Sequence, residues 1–179
     1  KDNTCTQVLD LLQDRLSQYW HINIDKHIPA GAGLGGGSSN AATLLMALNE
    51  LESLNLTVDE MATIASKVGS DVLFFLHGGQ AQVSGTGDRI KPNTSLIDTV
   101  YFVLILPNIH CSTARVYKTL DDMGHFDDLD QLNLTDLAVI GFNRLFQPAC
   151  SVASELFGLY ERINTFFPNQ VFMSGSGST

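Results

Sequence analysis

The sequence predicts an α+β fold with helices packed against mainly antiparallel strands. Three observations predict it. Apolar residues recur at helical spacing in Thr4–Tyr19 and again from Ala41 to Leu51. Short apolar or alternating runs bounded by glycine and proline read as strands, most clearly Thr99–Leu106 ahead of Pro107. Between the first strand and the second long helix, five of the fifteen glycines fall within Gly31–Gly37.

Taken in order, Val8, Leu9, Leu11, Leu12, Leu16 and Tyr19 form one helical stripe, with Thr4 or Thr6 as its cap. His21–Ile28 reads as a strand leading into the glycines. A helix is expected from Asn40 to Leu54, with Ser38, Ser39 or Asn40 as cap. Thr57-Val58-Asp59-Glu60 is a capping box that opens a further helix through Val68, and Gly69 stops it. Asp71 then stands at the mouth of an apolar strand, Val72–Leu76. Gln80–Ser84 and Arg89–Pro92 read as a hairpin joined by Gly85-Thr86-Gly87-Asp88. Ser112-Thr113 caps a short helix carrying Arg115, Val116, Tyr117 and Leu120. Gly124–Asp130 reads as an acidic surface loop. Leu134–Phe146 and Val152–Phe166 read as amphipathic helices, and Val171–Met173 as a short strand entering a second glycine loop.

Composition narrows the function classes. The chain has 179 residues, 44% of them hydrophobic, which suits a globular protein with a real core. Its formal net charge is −9 with only ten Lys and Arg, which argues against a nucleic-acid partner. The apolar run through Tyr101–Leu106 is far too short to span a bilayer, so no membrane partner is expected. Cys5, Cys111 and Cys150 are scattered and odd in number, as reduced thiols of a cytosol would be. The five histidines show no metal-ligand spacing.

The stretch P-A-G-A-G-L-G-G-G-S-S-N-A-A, Pro29–Ala42, carries the chemistry. Glycine lets a ligand approach the backbone, and a helix start presents unpaired N–H groups with a partial positive charge. Together they make a phosphate site. No Lys follows the glycines, so the loop is not a Walker A motif. Gly31, Gly33 and Gly36 spell G-x-G-x-x-G, but Pro29 separates the strand from the loop. The acids at the distance a dinucleotide fold needs, Glu50 and Glu52, lie inside the helix. A flexible linker is rarely flanked by a strand and a strongly apolar helix. A phosphate-cradling loop remains. It holds no basic side chain, and Lys26 is the nearest cation in sequence. Backbone N–H groups and Mg²⁺ must therefore supply most of the positive field for a triphosphate.

With those residues in view, the stretch resembles the second motif of the GHMP kinases. Two further segments agree. Gly69-Ser70-Asp71-Val72 followed by Phe74-Phe75 is similar to that family's catalytic-aspartate segment, with Leu73 where Pro is frequent. Met173-Ser174-Gly175-Ser176-Gly177-Ser178-Thr179 is similar to its third motif. The resemblance implies an ATP-binding lobe and a substrate lobe around a central cleft. The parts would be residues 1–92, from the N-terminal domain, and 93–179, from the C-terminal domain. It implies phosphoryl transfer from ATP, with Mg²⁺, to the hydroxyl of a small-molecule alcohol. By the same resemblance, the triple glycine Gly35-Gly36-Gly37 before the serines and Ser-Thr-Ala-x-Val-Tyr imply a cytidine diphosphate methylerythritol as substrate rather than homoserine or mevalonate. A noncatalytic nucleotide-binding fragment is the alternative from another class.

The resemblance assigns residues as well. Asp71 would be catalytic. Pro29, Ala30, Gly31, Ala32, Gly33, Leu34, Gly35, Gly36, Gly37, Ser38 and Ser39 would bind ATP, the two serines also reaching Mg²⁺ or a phosphate oxygen. Tyr117 would stack on the cytosine ring, and Gly175, Ser176 and Gly177 would close the far side of the substrate. Asn143-Arg144-Leu145-Phe146 is similar to the family's Asn-Asp-Leu-Glu helix end, but Arg144 and Phe146 depart from it, so no catalytic role is given to this segment. The family's first motif carries a lysine that pairs with the aspartate. Neither Lys1 nor Lys26 matches it, and the expectation is an internal fragment of a longer enzyme. The compartment expected is the cytoplasm, or the plastid stroma for a plant-type source.

Overall fold

The computed structural model describes residues 3–92, 101–124 and 141–179. The chain divides into two compact units. One comprises Lys1–His27 with Gly35–Asp98, the other Ile28–Leu34 with Thr99–Thr179. The loop Pro29–Ala42 therefore contributes its first part to one unit and its second part to the other.

The first unit is built on four helices: α1 (Thr4–Leu12), α2 (Gly36–Leu51), α3 (Val58–Val68) and α4 (Val72–His77). Val8 and Leu12 of α1, and Ala41, Ala42, Leu45 and Leu48 of α2, form stripes that close on Leu56, Ala65 and Val72 in one apolar core. Asn3 caps α1 in a reciprocal box with Thr6. Thr57 and Glu60 form the expected box on α3, and Gly69 ends that helix. A hairpin follows. Strands β1 (Ala81–Ser84) and β2 (Arg89–Pro92) pair antiparallel with Ser84 opposite Arg89.

Two expectations in this unit are corrected. Val72–Leu76 is helical, not a strand. A five-residue apolar run does not distinguish the two by period. The helix wins because Val72, Phe75 and Leu76, at i, i+3 and i+4, all reach the core. Asp71 thus precedes a helix rather than a strand. The long helix begins at Gly36, with Gly35 in the left-handed region as its cap and no side-chain cap bond. Ser38, Ser39 and Asn40 lie within its first turns.

The second unit has α5 (Thr113–Met123), α6 (Phe146–Val152) and α7 (Ser154–Phe166). Among the described residues its core is Cys111, Val116, Ala149, Ala153 and Leu156. Burial holds the Cys111 thiol above its ordinary pKa, with Glu155 adding to the effect. Cys150 is shifted the same way by burial and then by Cys111. All three cysteines are free. The break at Ala153 divides what had read as one helix from Val152. Most of the predicted helix Leu134–Phe146 and of the loop Gly124–Asp130 lies outside the described residues.

The expected strands His21–Ile28, Thr99–Leu106 and Val171–Met173 are not formed in the described residues, whose one sheet is β1–β2. Tyr101 is 92% exposed and Val103 90%, the reverse of a buried strand. A helix satisfies its own backbone, whereas a strand exists only when another pairs with it.

Candidate active site

In the first unit, the start of α2 is shaped by Gly35. Its φ of 63° is cheap for glycine, and a Cβ there would come within 2.8 Å of the Phe75 ring. The first N–H with a helical acceptor is that of Ser39, which donates to the Gly35 carbonyl at 2.9 Å. The N–H groups of Gly36, Gly37 and Ser38 precede it and have no acceptor within the helix. The carbonyl of Gly37 accepts from Thr4 Oγ1 at 2.8 Å, so the start of α1 braces this turn. Sequence reasoning weighed Thr4 only as a cap.

Asp71 is exposed, at the head of α4. Its neighbours fix it. Val72 beside it is fully buried, and the backbone carbonyl of Asp71 itself accepts from Phe75 N–H one turn on, at 3.3 Å. Phe75 is the residue that touches Gly35, and α4 packs along α2. The hairpin turn supports the segment from its other side, because a Cβ at Gly87 would fall on the Ser70 carbonyl. That turn is tied by Asp88, whose carboxylate accepts from Thr86 N–H at 2.8 Å and is thereby held below its ordinary pKa.

In the second unit, the two glycine loops interlock. Ser174 Oγ donates to the Gly33 carbonyl at 2.8 Å. A Cβ on Gly33, whose φ is 76°, would fall on the Ser174 carbonyl, and one on Gly175 would lie 3.0 Å from the Gly33 carbonyl. Within the second loop, Ser174 N–H donates to the Thr179 carbonyl at 2.7 Å and Gly177 N–H to the Ser174 carbonyl at 3.0 Å. Gly31 differs: its φ is 75°, and nothing lies within 4 Å of a Cβ placed there. A cavity of about 140 Å³ opens beside Pro29, Ala30, Gly31 and Ala32, with Asn108 and His110 on its wall. Neither of those two residues was singled out from sequence.

Ser176 is buried, and its hydroxyl is 2.9 Å from that of Thr113, the first residue of α5. The second loop is thereby bonded to the helix that carries Tyr117. Tyr117 is 52% exposed, while Val116 beside it fills the core. Among the described residues, no cluster of His, Cys, Asp and Glu could hold a metal ion.

Residues 3–79 match the model of the GHMP kinase N-terminal domain. The crystal structure of a 4-(cytidine 5'-diphospho)-2C-methyl-D-erythritol kinase superposes with a TM-score of 0.73 at 30% identity, covering 99% of this chain and 67% of that one. The chain belongs to the GHMP kinase family. A relative from Shouchella clausii named 4-diphosphocytidyl-2-C-methyl-D-erythritol kinase is 37% identical over 187 residues, 99% of this chain and 63% of its own length. The chloroplastic protein of that name from Arabidopsis thaliana is 42% identical over 174 residues, 91% of this chain and 45% of its own length. The chain thus spans about two thirds or less of these GHMP kinases. The glycine-rich stretch Pro29–Ala42, with no basic residue and no Walker lysine, lies within the matched residues 3–79.

Proposed function

We propose that this chain carries much of the machinery of an ATP-dependent kinase that phosphorylates the 2-hydroxyl of 4-diphosphocytidyl-2-C-methyl-D-erythritol, a step of non-mevalonate isoprenoid synthesis. The observation that supports it most is the agreement of relatives of one name across 99% of the chain. Residues 1–92 would belong to the ATP-binding domain and 93–179 to the C-terminal domain.

Each residue has a role in this reading. The loop from Pro29 to Ser39 holds the nucleotide phosphates through backbone N–H groups. The orphan N–H groups of Gly36–Ser38 at the helix start suit an anion, and in the other unit the open space over Gly31 leaves its backbone approachable. Ser38 and Ser39 would offer hydroxyls to Mg²⁺, which when bound would neutralise phosphate charge. Asp71 accepts the proton of the substrate hydroxyl as its oxygen bonds to the γ-phosphorus and the bond to the departing ADP breaks. Tyr117 presents an exposed ring for the cytosine to stack on. Gly175, Ser176 and Gly177 close over the substrate. The enzyme would work in the cytoplasm or the plastid stroma. No described helix is long and apolar enough to cross a membrane.

The test is a coupled ADP-release assay on the full-length protein, with homoserine and mevalonate as control alcohols. Turnover is expected only with the cytidine diphosphate alcohol. Asp71→Asn should lower it by at least about a hundredfold while leaving ATP affinity nearly unchanged. Near-normal turnover in that variant removes Asp71 from the mechanism. ATP binding with no turnover on any alcohol would favour a noncatalytic nucleotide-binding protein.

A further inference from the structure

Asn143 lies just ahead of α6, where its carbonyl accepts from Phe146 N–H at 3.0 Å, in a segment to which the sequence assigned no role. Every hydrogen-bonding group of its side chain is engaged. Nδ2 donates to the carbonyls of Met173 and Gly175, each at 2.8 Å. Oδ1 accepts from the N–H of Leu145 at 2.9 Å. Its partners settle the amide's orientation, since two are carbonyls and one is an N–H.

The two carbonyls bracket Ser174. That residue bonds Gly33 through its hydroxyl, and its own carbonyl occupies the space a side chain on Gly33 would need. Two carbonyl oxygens converging on one point repel each other unless a group with two N–H donors stands between them. Asparagine supplies that group on a short stem. Its third bond fixes the stem to the turn that leads into α6.

We propose that Asn143 is a positioning residue, which clamps the Ser174-centred turn and through it sets the backbone of Gly31–Gly33. In the kinase reading, on which this last step rests, that backbone cradles ATP. Asn143 then acts on nucleotide affinity without touching the reacting atoms.

Asn143→Asp in the full-length protein is the sharpest test. It keeps the size and the acceptor for Leu145 N–H, and places an oxygen where two carbonyls expect donors. Amide exchange at Ser174 and Gly177 should quicken by about tenfold or more, because the turn loses its clamp. KM for ATP should rise by about tenfold, with kcat within about threefold of wild type. A lower melting temperature with KM for ATP and loop exchange both unchanged would mean a merely structural residue and would overturn the proposal. If Asn143→Asp does not fold, Ser174→Ala decides, since it removes only the bond to Gly33. A rise of about threefold in KM for ATP supports the relay, and no change overturns it. Failure of the kinase reading is distinguishable. A wild-type protein without phosphoryl transfer would end that reading alone, while loop exchange would still decide the clamp.

Discussion

Gly33 and Gly35 stand two residues apart, share a left-handed backbone, and are held by different means. Beside Gly35 lies the Phe75 ring, part of an apolar layer with Val72, Leu45 and Leu48 beneath it. Beside Gly33 lies a turn held by hydrogen bonds from Ser174, Gly177 and Asn143, over a core that among the described residues is Cys111, Val116, Ala149, Ala153 and Leu156. Burial is strong and indifferent to direction; hydrogen bonds contribute about 1 kcal/mol each but fix orientation. The helix start is thereby a durable platform, and the interlocked loops are a precise but weaker one.

The largest effect should come from the platform. Leu45 is fully buried, and Leu45→Ala should cost about 2–5 kcal/mol by transfer and cavity terms together. Urea unfolding followed by the fluorescence of Trp20, the single tryptophan, reads this unit directly. A loss below about 1 kcal/mol would mean that the site is not close-packed, and the contrast with the second loop would fail.

A pair of glycine variants sharpens the comparison at a smaller scale. Gly31→Ala should cost about 1–2 kcal/mol, the ordinary penalty of a left-handed residue with a side chain. Gly33→Ala carries the same penalty and also drives a Cβ onto the Ser174 carbonyl. It should therefore destabilise more and weaken ATP binding by a larger factor. Thermal unfolding together with titration of an ATP analogue separates the two. Equal effects would mean that the loops do not interlock as described.

The helices of the first unit were largely legible, because a period of 3.6 needs nothing beyond the segment itself. The Thr57–Glu60 box, the stop at Gly69 and the turn Gly85–Asp88 were legible for the same local reason. Val72–Leu76 was misread because five apolar residues satisfy both periods. Tyr101–Leu106 shows the opposite limit: its pattern suits a strand, yet a strand is made by its neighbours, and the described residues supply none. The glycine loop stood out through its composition, and so did the second glycine loop, which bonds it through Ser174. Asn143 was set aside because the residues around it departed from a pattern. Its amide acts across 30 positions of sequence, a separation at which no local rule reaches. Thr113, joined to Ser176 over 63 positions, was hidden in the same way.

The smallest effect is electrostatic and belongs to the platform's far end. Glu52, just past α2, accepts from Ser17 Oγ at 2.6 Å, Ser17 N–H at 2.9 Å and Trp20 Nε1 at 2.7 Å. The Ser17 hydroxyl, then the Ser17 N–H and Trp20, hold its carboxyl below the ordinary value of 4.5. Because the folded pKa is the lower one, the carboxylate's contribution is fully present above about pH 4.5 and fades as pH falls through the folded value. The residue is only partly buried, so the gain is modest and screened by salt. Trp20 fluorescence should therefore shift in acid, below about pH 4.5, before the unit unfolds, and Glu52→Gln should abolish that early shift. The same early shift in the Gln variant would mean that another carboxyl governs Trp20. If Glu52→Gln does abolish the shift, the fully buried Leu45 and the hydrogen-bonded Glu52 mark the two ends of one scale, from burial to hydrogen bonding, within a single helix and the residue that follows it.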